Sequence, residues 1–144
     1  MRMRHLVLAA AMAFAPVAVL ADAAHKIAVH VNNGDPKVLN MALNNVQNVK
    51  AYYDAKGEEV EIELVAYGPG LVMFIDGKSP VADRVKTMSL ENEHLSFSAC
   101  GNTLQKMSKK LGKDVPLMSE ASVVPSGVVR LIELQESGYS YVRP

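Results

Sequence analysis

The sequence predicts an α/β fold in which a parallel sheet carries helices on both faces. Three observations lead there. Alternating or continuous apolar stretches rich in β-branched residues recur along the chain, and amphipathic stretches with helical spacing separate them. Their order is strand, helix, strand, helix, strand, helix, strand, helix, strand, the alternation expected of parallel strands joined by crossover helices. No repeat, linker or low-complexity tract divides residues 24–144, which therefore read as one domain long enough to bury a core.

The first strand begins near His25, where Ile27, Val29 and Val31 alternate with Ala28, His30 and Asn32. Asn32-Asn33-Gly34 stops it, and Asp35-Pro36 supplies an N-cap with a proline at the first helical position. The helix runs to about Lys56, with Leu39, Ala42, Val46, Val49 and Tyr53 as its apolar stripe and Lys56-Gly57 as its end. Val60 to Tyr67 is the second strand, with Glu59, Glu61 and Glu63 on one side and Val60, Ile62 and Leu64 on the other. Gly68-Pro69-Gly70 breaks the chain there. The apolar run from Leu71 to Ile75 fits a helical turn or a brief strand, and periodicity does not choose between them.

Ser79-Pro80 reads as the start of a second helix, with Val81, Val85 and Met88 on one face and an end near Glu91 or Asn92. His94 to Cys100 is the third strand. The helix after it carries Leu104, Met107 and Leu111, exposes three lysines and ends at Gly112. Ala121 to Val124 is a short fourth strand. Val128, Leu131, Ile132 and Gln135 trace a face of the fourth helix, which Gly138 ends. The tail from Tyr139 closes the sheet as an edge strand, and Pro144 forbids further pairing.

The N-terminus predicts export. Arg2 and Arg4 precede an apolar run from Leu6 to Leu20, and Ala21 and Ala23 stand at the small-residue positions of a cleavage site. The run is shorter than the roughly 20 residues a membrane span needs, so residues 1–23 are expected to be a signal peptide. The expected mature chain is periplasmic or secreted, with no membrane span. Its acidic and basic residues nearly balance and form no stripe or block, which removes the electrostatic basis for binding nucleic acid.

The strand-to-helix loops gather on one sheet edge, where open α/β sheets bind ligands. They are Asn32-Asn33-Gly34-Asp35, Tyr67-Gly68-Pro69-Gly70, Cys100-Gly101-Asn102-Thr103 and Pro125-Ser126-Gly127. Cys100 is the only cysteine, so no intrachain disulfide exists. It ends a strand at the start of a helix, where free amides and the helix dipole favour a thiolate. Gly101 lets a backbone or substrate approach, and Asn102 or Thr103 is placed to cap the helix or to hydrogen-bond a group on the sulfur. Cys100 is the candidate catalytic residue. Asn32, Asn33, Gly68, Gly70, Gly101, Asn102 and Thr103 are candidate ligand contacts.

ACGNT after the third strand, VAYGPG after the second, VPSGVVRL near the end and the YSYVRP tail resemble the DsrE/DsrF-like family, in particular its small exported members. The resemblance covers nearly all of residues 24–144. It implies a three-layer α/β/α fold with a five-stranded, mostly parallel sheet, often assembled as homo-oligomers. In sulfur-relay members a cysteine in the corresponding loop takes up sulfur as a persulfide and passes it on, and Cys100 alone carries over to that role. Relay members work in the cytoplasm with partner subunits, whereas this chain carries export signals. The resemblance thus implies a sulfur carrier or sulfurtransferase-like protein with a sulfur donor or acceptor protein as partner.

Each residue also has a plainer reading. Cys100 can be a buried packing thiol in a non-enzymatic, oligomeric binding module. Asn32, Asn33 and Asp35 serve to turn the chain and cap a helix, and Gly68 and Gly70 satisfy backbone geometry. His30 reads as a hydrogen-bonded core histidine and His94 as a surface residue at the opposite edge. The histidines and Cys100 lack zinc spacing, so no metal is expected, and no cofactor is implied. G-x-S-x-G, G-x-G-x-x-G and Walker patterns are absent. The apolar run from Leu71 to Ile75 is a candidate surface for pairing with a second copy.

Overall fold

The computed structural model describes residues 23–144. The expected signal peptide therefore lies, except for Ala23, outside the described residues.

The elements alternate as the patterning requires: β1 (His25–Val31), α1 (Pro36–Asp54), β2 (Val60–Ala66), a 3₁₀ segment (Gly68–Phe74), α2 (Ala82–Glu91), β3 (Leu95–Cys100), α3 (Gly101–Leu111), β4 (Ala121–Val124), α4 (Gly127–Glu136) and β5 (Ser140–Val142). The sheet order is β4-β3-β2-β1-β5. Every neighbouring pair is parallel. From β1 to β4 the chain steps in one direction, so right-handed crossovers lay α1, α2 and α3 on one face. To reach β5 beside β1, the chain must return across the whole sheet, and α4 makes that return on the other face. The result is a three-layer α/β/α fold.

The two faces differ in chemistry. On the three-helix face, Ile27, Val29, Val31, Ile62, Leu64, Phe97 and Ala99 meet Leu39, Leu43, Val46, Phe74, Val85 and Met88. Each large side chain buried there contributes about 1.5–3 kcal/mol. On the α4 face the apolar cluster is only Ala28, Val65, Leu131 and Leu134. The rest of that face is polar: His30, Glu63 and Ser98 are buried there beside Cys100.

Asp35 caps α1 as predicted, its carboxylate accepting the Lys37 N–H at 2.8 Å. The helix stops at Asp54, two residues before the expected Lys56, and Gly57 makes the turn at φ +68°. The segment after Gly68 resolves as a helical turn, burying Leu71, Met73 and Phe74. Ile75 follows as an antiparallel bridge to Leu117. Leu71, Met73, Phe74 and Ile75, at most 3% exposed, are consumed by the domain's own core, and of the expected pairing surface only Val72 stays half-buried.

Two more expectations are corrected. The second helix begins at Ala82, and Ser79 instead braces the approach by donating to the Met73 carbonyl. In α4 the buried positions are Gly127, Leu131 and Leu134, while Val128, Ile132 and Gln135 face outward. This helix is apolar on more than one side, and the close seat of Gly127 against Tyr67 and Cys100 sets its rotation.

Candidate functional site

The site forms where β3 and β4 end. The chain leaving β3 enters α3 on one face, and the chain leaving β4 enters α4 on the other. Adjacent strands whose exits diverge in this way open a crevice at their carboxyl ends. Cys100, the last residue of β3, stands in it with the first turns of both helices around it.

Cys100 is itself the N-cap residue of α3, with extended backbone (φ −68°, ψ 114°). An N-cap side chain is aimed at the N–H groups two and three residues on, here Asn102 and Thr103. The neutral thiol closes no capping hydrogen bond of ordinary length. The thiolate is the better acceptor. Burial pushes the Cys100 thiol up, but the Thr103 hydroxyl and the N–H groups of Gly127, Thr103 and Asn102 converge on the sulfur and hold it below the ordinary thiol range. The Asn102 N–H is shared, because it also donates to the Pro125 carbonyl at 3.2 Å.

Thr103 links two loops. Its hydroxyl oxygen accepts the Gly68 N–H at 2.9 Å, which leaves its own proton for the sulfur. Of the two roles expected of Asn102 or Thr103, capping falls to neither, since Cys100 is the N-cap residue; Thr103 ties the loop after β2 to the loop after β3. Gly127 brings the second helix close. A Cβ there would stand 3.0 Å from the Tyr67 side chain and 3.2 Å from Cys100 Cβ. Gly101 faces the Val124 carbonyl in the same way, at 3.0 Å. Cys100 is only 5% exposed, so the expected rim position holds for the backbone while the side chain is covered.

The other candidates fall into a second group. Gly70 packs its Cα against the Val31 carbonyl and Asn32, and Gly34 lies against the Pro69 carbonyl, so the loops after β1 and β2 are fitted together. Asn33 accepts the Asp35 N–H at 2.8 Å and so serves the turn. Asn32 is half-buried beside Gly70. Cys100, Gly101, Asn102, Thr103 and Gly68 are thus joined by direct contacts. Asn32, Asn33 and Gly70 support the neighbouring loop.

The cluster of Glu63, Arg130 and Ser98 on the α4 face lay beyond the sequence reading, whereas His30 is the hydrogen-bonded core histidine expected. Glu63 receives both Arg130 Nε (2.8 Å) and an Arg130 terminal nitrogen (2.6 Å), and Ser98 Oγ at 2.6 Å. This bidentate pair fixes α4 over β2 and β3, and so fixes Gly127 against the thiol. The signal was present in Arg130, the one basic residue in an otherwise apolar helix start. His30 Nδ1 and the Tyr141 hydroxyl share a hydrogen bond at 2.6 Å, and the Tyr67 ring stacks on the imidazole at 4.7 Å. Burial and then the charge of Arg143 hold the His30 pKa below its ordinary value. Its Nε2 is buried with no partner among the described residues.

Among the described residues, no group of three or more His, Cys, Asp or Glu side chains is placed to hold a metal ion. Among them, too, no helix is long and apolar enough to cross a membrane.

No family model matches the chain, and no curated protein matches it. Among solved structures, the fold is similar to that of MTH1491, a protein of unknown function from Methanobacterium thermoautotrophicum. The two superpose with a TM-score of 0.72 at 29% identity, over 83% of this chain and 99% of that one.

Proposed function

We propose that the protein is an exported thiol-based sulfur carrier, similar to sulfurtransferases, that holds a persulfide on Cys100. One observation carries the reading: Cys100 is the N-cap residue of α3 with the start of α4 seated against it at Gly127, so that N–H groups of two helix starts and the Thr103 hydroxyl surround one sulfur and favour its anion. Such donors stabilise the anionic sulfur that attacks and the anionic sulfur that leaves. In the loading step the Cys100 thiolate attacks the outer sulfur of a donor persulfide. The donor's S–S bond breaks, a new S–S bond forms on Cys100, and the donor departs as its thiolate. In the unloading step an acceptor thiolate attacks the outer sulfur on Cys100, and the Cys100 thiolate returns. At 5% exposure, the sulfur favours a small donor group over a bulky one.

The test is intact mass after incubation with several sulfane donors. The native protein is expected to gain one sulfur atom, removable by a thiol, and Cys100→Ser to gain none. No gain with any donor would overturn the reading. The same low exposure favours a second reading, a binding module in which Cys100 only packs. The outward α4 residues Val128, Val129 and Ile132, each about half exposed, would then meet a second copy. Under that reading Cys100→Ala assembles as the parent does and no donor loads it.

A further inference from the structure

Two of the donors around the Cys100 sulfur depend on elements other than α3, and both meet at Tyr67. The Thr103 hydroxyl turns its proton to the sulfur because the Gly68 N–H occupies its oxygen at 2.9 Å. The Gly127 N–H reaches the sulfur from the start of α4. Tyr67 touches both sources, one through its backbone and the other through its side chain.

The backbone of Tyr67 is locked. Its N–H donates to the Val31 carbonyl at 3.1 Å, and its carbonyl accepts the Gly70 N–H at 3.1 Å. Gly68, the next residue, turns at φ +54°, a conformation that glycine takes without strain. The Gly68 N–H that orients Thr103 is therefore placed by Tyr67.

The side chain of Tyr67 is wedged. Its ring stacks on His30, with centroids 4.7 Å apart and planes 26° from parallel. It also meets the first residue of α4: a Cβ on Gly127 would stand 3.0 Å from Tyr67 Cβ and Cδ1, and 3.2 Å from Cys100 Cβ. The start of α4 thus approaches the thiol only as closely as Tyr67 allows. His30 backs the ring from a position 5% exposed. Its Nε2 is buried without a partner among the described residues, which costs stability. What the imidazole contributes lies at Nδ1, tied to Tyr141 of β5 at 2.6 Å, and at its face, which carries Tyr67.

We infer that Tyr67 is a positioning residue for Cys100: its ring is held by His30, and its own place sets both the Gly68–Thr103 link and the seat of Gly127 against the sulfur. The inference rests on the Cys100 chemistry proposed above and adds the residue that holds the thiol's surroundings. The Asn102 and Thr103 N–H groups come from α3 itself, so loss of Tyr67 weakens the hold on the anion without abolishing it.

The test is the pH profile of Cys100 alkylation by iodoacetamide in the purified full chain, with urea midpoints measured alongside. The inflection reports the hold on the thiolate, and the high-pH plateau reports access to it. Glu63 with Arg130, and Arg143 beyond His30, keep their charges in every variant. His30, its pKa held below the ordinary value by burial and then by Arg143, is uncharged at neutral pH. Tyr67→Leu is expected to move the inflection to higher pH and to cut the near-neutral rate, as a fraction of the plateau, about fivefold. His30→Leu is expected to shift it the same way, by about twofold. Tyr67→Phe keeps the ring and is expected to restore the parent profile. Unmoved inflections in both leucine variants, with lowered urea midpoints, would reduce Tyr67 to packing and overturn the inference. A shift in Tyr67→Phe equal to that in Tyr67→Leu would overturn it too, by passing the role to the hydroxyl. Should Tyr67→Leu fail to fold, the inflection of His30→Leu decides. Sulfur loading is read separately by intact mass. Shifted inflections in a protein whose parent loads no sulfur would remove the carrier function and leave Tyr67 its role; loading with unmoved inflections would do the opposite.

Discussion

The pKa of Cys100 is set by opposed contributions at one atom. Burial favours the neutral thiol, and the donors around it favour the anion. The Thr103 hydroxyl contributes most among the donors, and it is a donor because the Gly68 N–H occupies its oxygen. Thr103→Val removes that donor at nearly constant volume. Because alkylation consumes only the thiolate, the inflection of rate against pH is expected to move to higher pH, with the near-neutral rate falling about tenfold for the loss of one charge-assisted hydrogen bond. Thr103→Ser should restore the parent profile. Iodoacetamide kinetics across the pH range make the measurement, and an unmoved inflection in Thr103→Val would show that the hydroxyl does not hold the sulfur.

At the scale of elements, the site depends on how closely the loops and the start of α4 approach one another. A Cβ on Gly70 would run into the Val31 carbonyl, a backbone atom that cannot swing aside, whereas a Cβ on Gly127 would meet mainly the Tyr67 side chain. Gly70→Ala is therefore expected to destabilise more than Gly127→Ala, the latter by about 1–3 kcal/mol as an overpacked contact. Urea unfolding of the two variants ranks them, and the reverse order would mean that the loops after β1 and β2 are looser than their geometry states. Gly127→Ala should also push α4 from the sulfur and slow alkylation.

The same scale explains what the sequence disclosed. Strand and helix order was legible because apolar spacing changes period between the two states, and the thiol's place at a strand end followed from that order alone. The turn at Asp35 was legible because capping is local. The rotation of α4 was not, because Val128, Val129 and Ile132 are as apolar as the buried Leu131 and Leu134. Nor was the burial of Glu63. Its alternation with Glu59 and Glu61 matches a solvated strand side, and its partner Arg130 lies far along the chain.

The molecule as a whole is asymmetric across its sheet, apolar under three helices and polar under one. A polar layer makes stability respond to pH, and His30 is the group placed to do so. Its imidazole lies between Tyr67 and the Tyr141 hydroxyl with the Arg143 charge nearby, so the native state resists protonating it. The unfolded chain takes up the proton at the ordinary value of 6.5. As pH falls through that value the unfolded state binds the proton first, so native stability is complete above it, declines below it, and levels off once pH passes the lowered native value. His30→Phe keeps an aromatic surface against Tyr67 and removes the titration. The parent is expected to lose stability between pH 7.5 and pH 5 by more than His30→Phe does, read as the difference in urea midpoints at the two pH values. Equal losses would place the acid sensitivity elsewhere in the fold. A smaller loss in the variant would locate it in the layer shared by β1, β5 and Tyr67, the residue beside Gly127 and Cys100, so that acid conditions would loosen the thiol's surroundings before they unfold the opposite core.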